Sequence, residues 1–468
     1  MANQQINLHF VLGGAVSAGA YTAGVLDFLI DRLKEFMSMP ETERKHDVKI
    51  KSVAGASAGG MCGAILANGI AKGWPYKPNS SAMYKAWVEE IDIQKLSGLS
   101  DLKNGKVTSL LNGDPIQKIA KDALGDMEKQ RAKLPDFVHK DFKLILSITN
   151  TKGLSYAVNF INPNVDKPYF ITNHRDYFKF CFKKNDDPEY IVLNNKSGWN
   201  TLQNAAVATG AFPIGLPPVS ISRPSELYKN RLKNTGLKPF NIDGEVFTYS
   251  GIDGGTVDNE PLDQVRKLIK DENDLVIFID PFPSERKENK GDDIINQLGR
   301  LYTVFRNQSA FKPNEIEPFI PGTDNHQSKF NGFFIAPNRP DSDKDDLQVA
   351  GGAFNAFGGF FHQSFRQYDY ILGKRNCQKF LKDHFKIPNT DNLVIQSPPG
   401  EEIEPELWPS ISRKEFKIIT KPLTRRIRKV IRLQIGGGMG RIASFITRFL
   451  KIRKKISKSF SVHNLISK

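Results

Sequence analysis

Cysteine is scarce in this chain: three residues in 468, Cys62, Cys181 and Cys377, scattered and with no C-x-x-C pair. That argues against a disulfide framework. It points to a reducing, cytoplasmic compartment in which the thiols are buried as small apolar groups. Long apolar runs are also missing. Nothing approaches the roughly 18 residues that cross a bilayer, so no membrane-spanning helix is expected. The stretch MANQQINLHFVLGG lacks a basic n-region and an unbroken apolar h-region, so no signal peptide is expected either. No internal repeat is present.

Charge is abundant but unevenly placed. The net charge is +15. From Arg413 to Lys468 there are 17 Lys and Arg against one acid, Glu415, which leaves the preceding 412 residues close to neutral. The basicity belongs to a tail, not to the body.

The body reads as alternating strands and helices. Residues 6–14 (INLHFVLGG) form a short buried strand ending in glycines, and AYTAGVLDFLIDRLKEFM follows with Val25, Phe28, Leu29 and Leu33 at helical spacing. VKIKSVAGAS is a second strand, and GGMCGAILANGI continues as a small-residue helix. Strand–helix–strand–helix with glycines at the turns is the pattern of a parallel sheet in an α/β fold. DFKLILSITNT and NDLVIFIDPF read as further buried strands. Glu285 to Asp293 and Pro337 to Asp346 read as polar surface loops. The segments KFNGFFIAP and GGAFNAFGGFFHQSFRQYDYILGKRNCQKFL are dense in phenylalanine, which suits either core or the wall of an apolar substrate channel.

Three short stretches carry chemistry. Gly55-Ala56-Ser57-Ala58-Gly59 is a G-x-S-x-G between a strand and a helix. Such a turn lifts the serine above the sheet, and the helix N-terminus favours negative charge developing beside it. Alone the pentapeptide is a modest signal, because small residues populate turns for steric reasons. VLGGAVSAGAYTAGVL places Gly13, Gly14 and Gly19 at another strand-to-helix turn, whose backbone N–H groups could face an oxyanion. It lacks the G-K-[ST] of a P-loop and the G-x-G-x-x-G of a dinucleotide site. YSGIDGGTVDNEPL puts Asp253 directly before Gly254 and Gly255, which by itself is an ordinary turn.

Taken in order, these blocks resemble the patatin-like phospholipases. LQNAAVATGAFPIGLPPV (Leu202 to Val219) is similar to that family's alanine-rich block, and VDNEP (Val257 to Pro261) follows the aspartate as it does there. The resemblance covers about residues 6–265 and implies a three-layer α/β/α fold with a mainly parallel sheet, to which the charge and spacing of the tail add a helical basic C-terminal extension. With the composition beyond it, the chain is expected to divide into a catalytic core (1–285), a Phe-rich continuation packed on it (286–397), a Pro/Glu-rich linker (398–412) and a basic amphipathic tail (413–468). The resemblance implies a lipid substrate with a fatty acyl ester, Ser57 as nucleophile and Asp253 as its base. Gly55 and Gly59 would flank the elbow, and Gly13, Gly14, Ala15 and Val16 would form the oxyanion loop. No metal and no cofactor are implied. An ordinary aspartate is a poor base for a serine hydroxyl, so this reading requires a buried carboxylate. The oxyanion block departs from the family's G-G-G-x-[RK]-G: anchored on Gly19, it reads Gly14-Ala15-Val16-Ser17-Ala18-Gly19. Two glycines and the cation are replaced, and Ala15 and Val16 are accommodated without strain only if φ stays negative there.

Two other readings remain open at this point. A Ser–His–Asp hydrolase could draw its histidine from His326, His362 or His384, all of which follow Asp253. A binding or scaffold protein could use the same fold with a weakened site. The tail reads as two amphipathic helices. Leu423, Ile427, Val430, Ile431 and Gln434 share one face of the first, with Arg425, Arg426, Arg428, Lys429 and Arg432 on the others. Ile442, Phe445, Ile446, Phe449 and Leu450 line the second. Such helices suit peripheral docking on the anionic inner face of a membrane, or packing on the body; no specific nucleic-acid partner is expected. The sequence carries no signal for oligomeric state.

Overall fold

The computed structural model describes residues 4–467 apart from 77–79, 126–132, 159–167, 232–236, 284–303, 305–306, 321–330, 341, 344–345, 388–389, 391, 397–399 and 436–451. The chain opens with β1 (Gln4–Leu12), α1 (Gly19–Ser38), β2 (His46–Gly55) and α2 (Ser57–Ala71). Long strands β3 (Val138–Val158) and β4 (Tyr169–Cys181) follow, then β5 (Tyr190–Val192) and α3 (Lys196–Thr209). β6 (Val219–Pro224) and β7 (Val246–Asp253) form a hairpin-like pair, and β8 (Asp274–Ile279) and β9 (Asn331–Ile335) complete the strands. Three further helices close the fold: α4 (Gln363–Asp383), α5 (Arg413–Ile435) and α6 (Ile452–Val462).

Among the described residues one nine-stranded sheet runs β5-β4-β3-β2-β1-β8-β9, with β7 joined to β3 and β6 to β7. β1, β2, β3, β8 and β9 pair in parallel, and β4, β6 and β7 enter antiparallel. The central strands are apolar on both faces because both faces are covered. Successive side chains alternate between the two. On β1, Phe10 and Leu12 join the large core under the helices while Val11 faces the other way; β8 repeats this with Ile277 and Ile279 against Val276 and Phe278. The smaller cluster is closed by Leu262, Val265 and Phe319, which makes the third layer. All three cysteines are buried free thiols.

The first strand ends at Leu12, two residues before the expected boundary, so Gly13 and Gly14 lie wholly in the turn. The expected surface loop 285–293 and the expected tail helix at 442–450 lie outside the described residues. The phenylalanine-rich segment is both things it could have been: Phe361 and Phe365 are core, while Phe357 and Phe360 line a cleft.

The 398–412 segment is no free linker where it is described. Gln378 of α4 bonds Ile403 N–H and the Glu401 carbonyl, and the Trp408 indole donates to the His463 carbonyl at 2.9 Å. The tail packs on the body as well. Phe416, Ile419, Leu423 and Val430 of α5 are buried, and Phe460 of α6 sits among Phe361, Phe365 and Phe416. The expected faces of α5 need correction at two positions. Gln434 is exposed, and Arg426, assigned to the polar side, is fully buried. It is inside because it has partners there: a two-pronged ion pair with Asp101 (2.7 and 2.6 Å) and hydrogen bonds to the carbonyls of Gly98 and Leu110.

Candidate active site

Ser57 stands where β2 turns into α2. Ala56 is extended, and Ser57 itself is left-handed, with φ 51°. That strained elbow is over-determined by its surroundings. Ser57 N–H donates to Thr209 Oγ1 at 2.9 Å, and the Thr209 hydroxyl passes on to the Ser147 carbonyl at 2.6 Å. Gly59 is required by close approach: a Cβ there would lie 2.4 Å from the Leu12 carbonyl oxygen. The first turn of α2 is thereby pressed against the end of β1.

Asp253 is the last residue of β7, held beside β3 by pairing with Ile148. Its N–H donates to the Ala211 carbonyl at 3.0 Å and its own carbonyl accepts from Thr149 Oγ1 at 2.8 Å. Its Oδ1 accepts the Gly255 N–H at 2.7 Å, which leaves Oδ2 to accept the Ser57 hydroxyl at 2.6 Å. Both side chains are nearly buried, 6% and 4% exposed. Ser57 and Asp253 thus come together from positions 196 residues apart.

The glycine turn after β1 approaches from the other side. Of the four expected loop residues, Gly13 is corrected: its N–H donates to the Ile279 carbonyl at 2.9 Å and so is turned to the end of β8. Gly14 makes a longer bond, 3.4 Å, to the Asn259 carbonyl. Ala15 has φ −142°, but Val16 has φ 49°, so the condition for an unstrained residue is met at Ala15 and not at Val16. The strained turn is clamped by Ser17, whose hydroxyl donates to the Ala356 carbonyl at 2.6 Å and accepts the Gly359 N–H at 2.9 Å. Ala18, in the place of the family's cation, is fully buried. In VDNEP, Asp258 accepts the Tyr177 hydroxyl at 2.6 Å; burial pushes its carboxyl up to about 6. Asn259 wedges between the two glycine turns, its Oδ1 2.6 Å from where a Cβ on Gly14 or on Gly255 would sit.

Ser57 and Asp253 open onto a narrow cleft with a free volume of about 40 Å³. Apart from them its walls are apolar, including Val16, Trp87, Leu96, Leu111, Phe357 and Phe360. Nothing local in the sequence marks Trp87, Leu96 or Leu111 as wall residues, and Thr209 is visible there only as part of the alanine-rich block. A larger groove, about 720 Å³ and lined in part by Lys49, Lys133, Lys140 and Lys183, is at the far end of the strands and holds neither Ser57 nor Asp253. No described histidine lines the cleft. His362 caps the start of α4, His384 its end, and His326 lies outside the described residues.

The class these elements define is a three-layer α/β/α protein with a serine at a strand-to-helix elbow, an aspartate at the end of a neighbouring strand and an apolar cleft beside them. The sequence matches the family model for patatin-like phospholipase over residues 10–266, and the chain belongs to that family, one of lipid acyl hydrolases. It is similar to an uncharacterized protein, y4iI, of Sinorhizobium fredii: 27% identity over 83% of this chain and 66% of that protein, just under two thirds of its length. Among solved structures it is similar to VipD from Legionella pneumophila, with 12% identity, 99% of this chain and 89% of that one covered, and a TM-score of 0.27. At that score the likeness carries no argument about the site.

Proposed function

We propose that this protein is a serine-dependent acyl hydrolase of phospholipase A or lysophospholipase type, working with a Ser57–Asp253 dyad. The observation that carries the reading is the 2.6 Å hydrogen bond from Ser57 Oγ to Asp253 Oδ2 at the base of an apolar cleft. Ser57 Oγ attacks the ester carbonyl as its proton passes to Asp253 Oδ2. The tetrahedral oxyanion is met by the N–H groups of Ala15 and Val16, with Ala58 and the N-terminus of α2 adding favourable dipoles. Asp253 then returns the proton to the leaving alcohol, and an acyl-enzyme remains. A water deprotonated by the same carboxylate attacks it and releases the fatty acid, restoring Ser57. The acyl chain lies along Trp87, Leu96, Leu111 and Phe357.

The tail is suited to hold the enzyme at an anionic membrane surface. Lys414, Lys417, Lys421, Arg425, Arg428 and Arg432 recur at helical spacing along the exposed face of α5. That helix packs beside the cleft wall, where Arg426 holds Leu110 and Gly98. No helix among the described residues is long and apolar enough to cross a membrane.

The test is intact-mass spectrometry after incubation with a fluorophosphonate. One adduct is expected on the wild type, none on Ser57→Ala and little on Asp253→Asn. A folded wild type that stays unlabelled, or a Ser57→Ala protein labelled as well as wild type, would sink the dyad.

A further inference from the structure

Ile214 is a β-branched residue with φ 67°, a conformation such residues rarely adopt, and it is 76% exposed. Strain is ordinarily retained where it serves a purpose, and here it does not serve the core. The segment around Ile214 forms the rim of the cleft: Phe212, Gly215 and Leu216 face inward. It is laid against residues 110–111, with Leu110 N–H donating to the Ile214 carbonyl at 2.8 Å and Leu111 N–H to the Gly215 carbonyl at 2.9 Å. Leu111 lines the cleft, whereas Leu110, one residue away, is exposed at 37%. Two aliphatic side chains are therefore presented outward from the rim of the acyl site by a pair of hydrogen-bonded segments. The same Leu110 is tied through its carbonyl to buried Arg426 of α5, a helix whose exposed face carries the cationic stripe.

We infer that Ile214 and Leu110 are the wedge by which the cleft is seated in a lipid bilayer, with the exposed cations of α5 on the headgroups around them. This rests on the acyl-hydrolase reading and adds to it the orientation of the protein on its substrate. Aliphatic prongs together with a basic helix face complement an anionic interface, whose acyl region receives the prongs and whose phosphates receive the charge. A bilayer meeting the rim delivers acyl chains directly to the walls below it. The left-handed turn keeps Ile214 pointing outward instead of folding back over the cleft.

The experiment uses the full chain in a Ser57→Ala background, so that docking is read without hydrolysis. Flotation with vesicles of phosphatidylglycerol and phosphatidylcholine is compared for the parent, Ile214→Asp and Ile214→Gly. Both substitutions are expected to weaken vesicle partitioning about tenfold or more, since burial of one isoleucine side chain is worth at least that factor. Ile214→Gly fits φ 67° without strain and is expected to keep or raise the melting temperature, which separates loss of the wedge from loss of the fold. In an Ile214→Trp variant the indole introduced at the prong is expected to blue-shift its emission on adding the vesicles. Unchanged partitioning of the Asp and Gly variants, or an indole emission from Ile214→Trp that does not move, would overturn the inference. So would a change of oligomeric state with Ile214→Asp while vesicle binding stays the same, because the prong would then meet a second copy of the chain. A wild type that binds through Ile214 yet takes no fluorophosphonate would count against the dyad and leave the docking face standing.

Discussion

Replacing Arg426 by alanine asks whether the basic tail is part of the catalytic body. The guanidinium is fully buried, it pairs in two-pronged fashion with Asp101, and it satisfies the carbonyls of Gly98 and Leu110. Removing one partner of a buried ion pair costs about 3–5 kcal/mol, because the other charge and the carbonyls are left without compensation. The Asp101 side chain keeps 21% exposure, so water relieves part of that penalty and the expected loss is near the lower end, about 3 kcal/mol. Arg426→Lys should recover only part of it, since an ammonium cannot serve a planar carboxylate and two carbonyls from one position. The pair also positions the segment between Leu96 and Leu111, two walls of the cleft. Long-chain ester turnover should therefore suffer in KM more than short-chain turnover does. The assay is equilibrium urea unfolding of wild type and both variants, alongside kinetics on esters of two chain lengths. A loss below about 0.5 kcal/mol with Arg426→Ala, against the roughly 3–5 kcal/mol of a buried pair, would refute the reasoning. An unaltered chain-length profile would mean that α5 does not shape the cleft.

Two further outcomes follow from buried groups. Burial lifts Asp27 to about 7, against the opposing hydrogen bonds from Ser81 and Tyr370, with Asp31 and Lys374 as the nearest charges. A carboxyl whose folded pKa lies above its unfolded value adds stability at pH below about 4 and loses that stability as pH rises through about 7. Relative to Asp27→Asn, the wild type should therefore become less stable between pH 5 and pH 8, by about 3 kcal/mol at most; a difference that does not vary with pH in urea melts at pH 5, 6.5 and 8 would exclude this. Gly14→Ala would place a Cβ 2.9 Å from the Ser57 Cβ and 2.6 Å from Asn259 Oδ1. Turnover should fall at least about a hundredfold, with a stability loss of about 1–3 kcal/mol, and turnover near the wild-type rate would show that the loop does not hold the oxyanion.

The part of this protein that could be read from its residues in order is local. A strand that ends in small residues and resumes as a helix is written in consecutive positions, so β1, β2 and the Ser57 elbow were legible from spacing. Asp253 was legible only through the order of blocks, because a D-G-G has no meaning until β7 brings it beside Ser57. The departure at Ala15 and Val16 could be read, but not its outcome, since φ at Val16 depends on the clamp from Ser17 to residues 339 and 342 positions away. Gly13 illustrates the same limit: whether its N–H faces substrate or Ile279 is decided by where β8 lies. The tail shows it most plainly. Its amphipathic pattern fits a membrane and a protein core equally well, because hydrophobic burial is non-directional and periodicity names a face without naming what covers it. Packing in three dimensions settled that Phe416, Leu423 and Val430 go inward, that Arg426 follows them because Asp101 waits there, and that Ile214 is turned out.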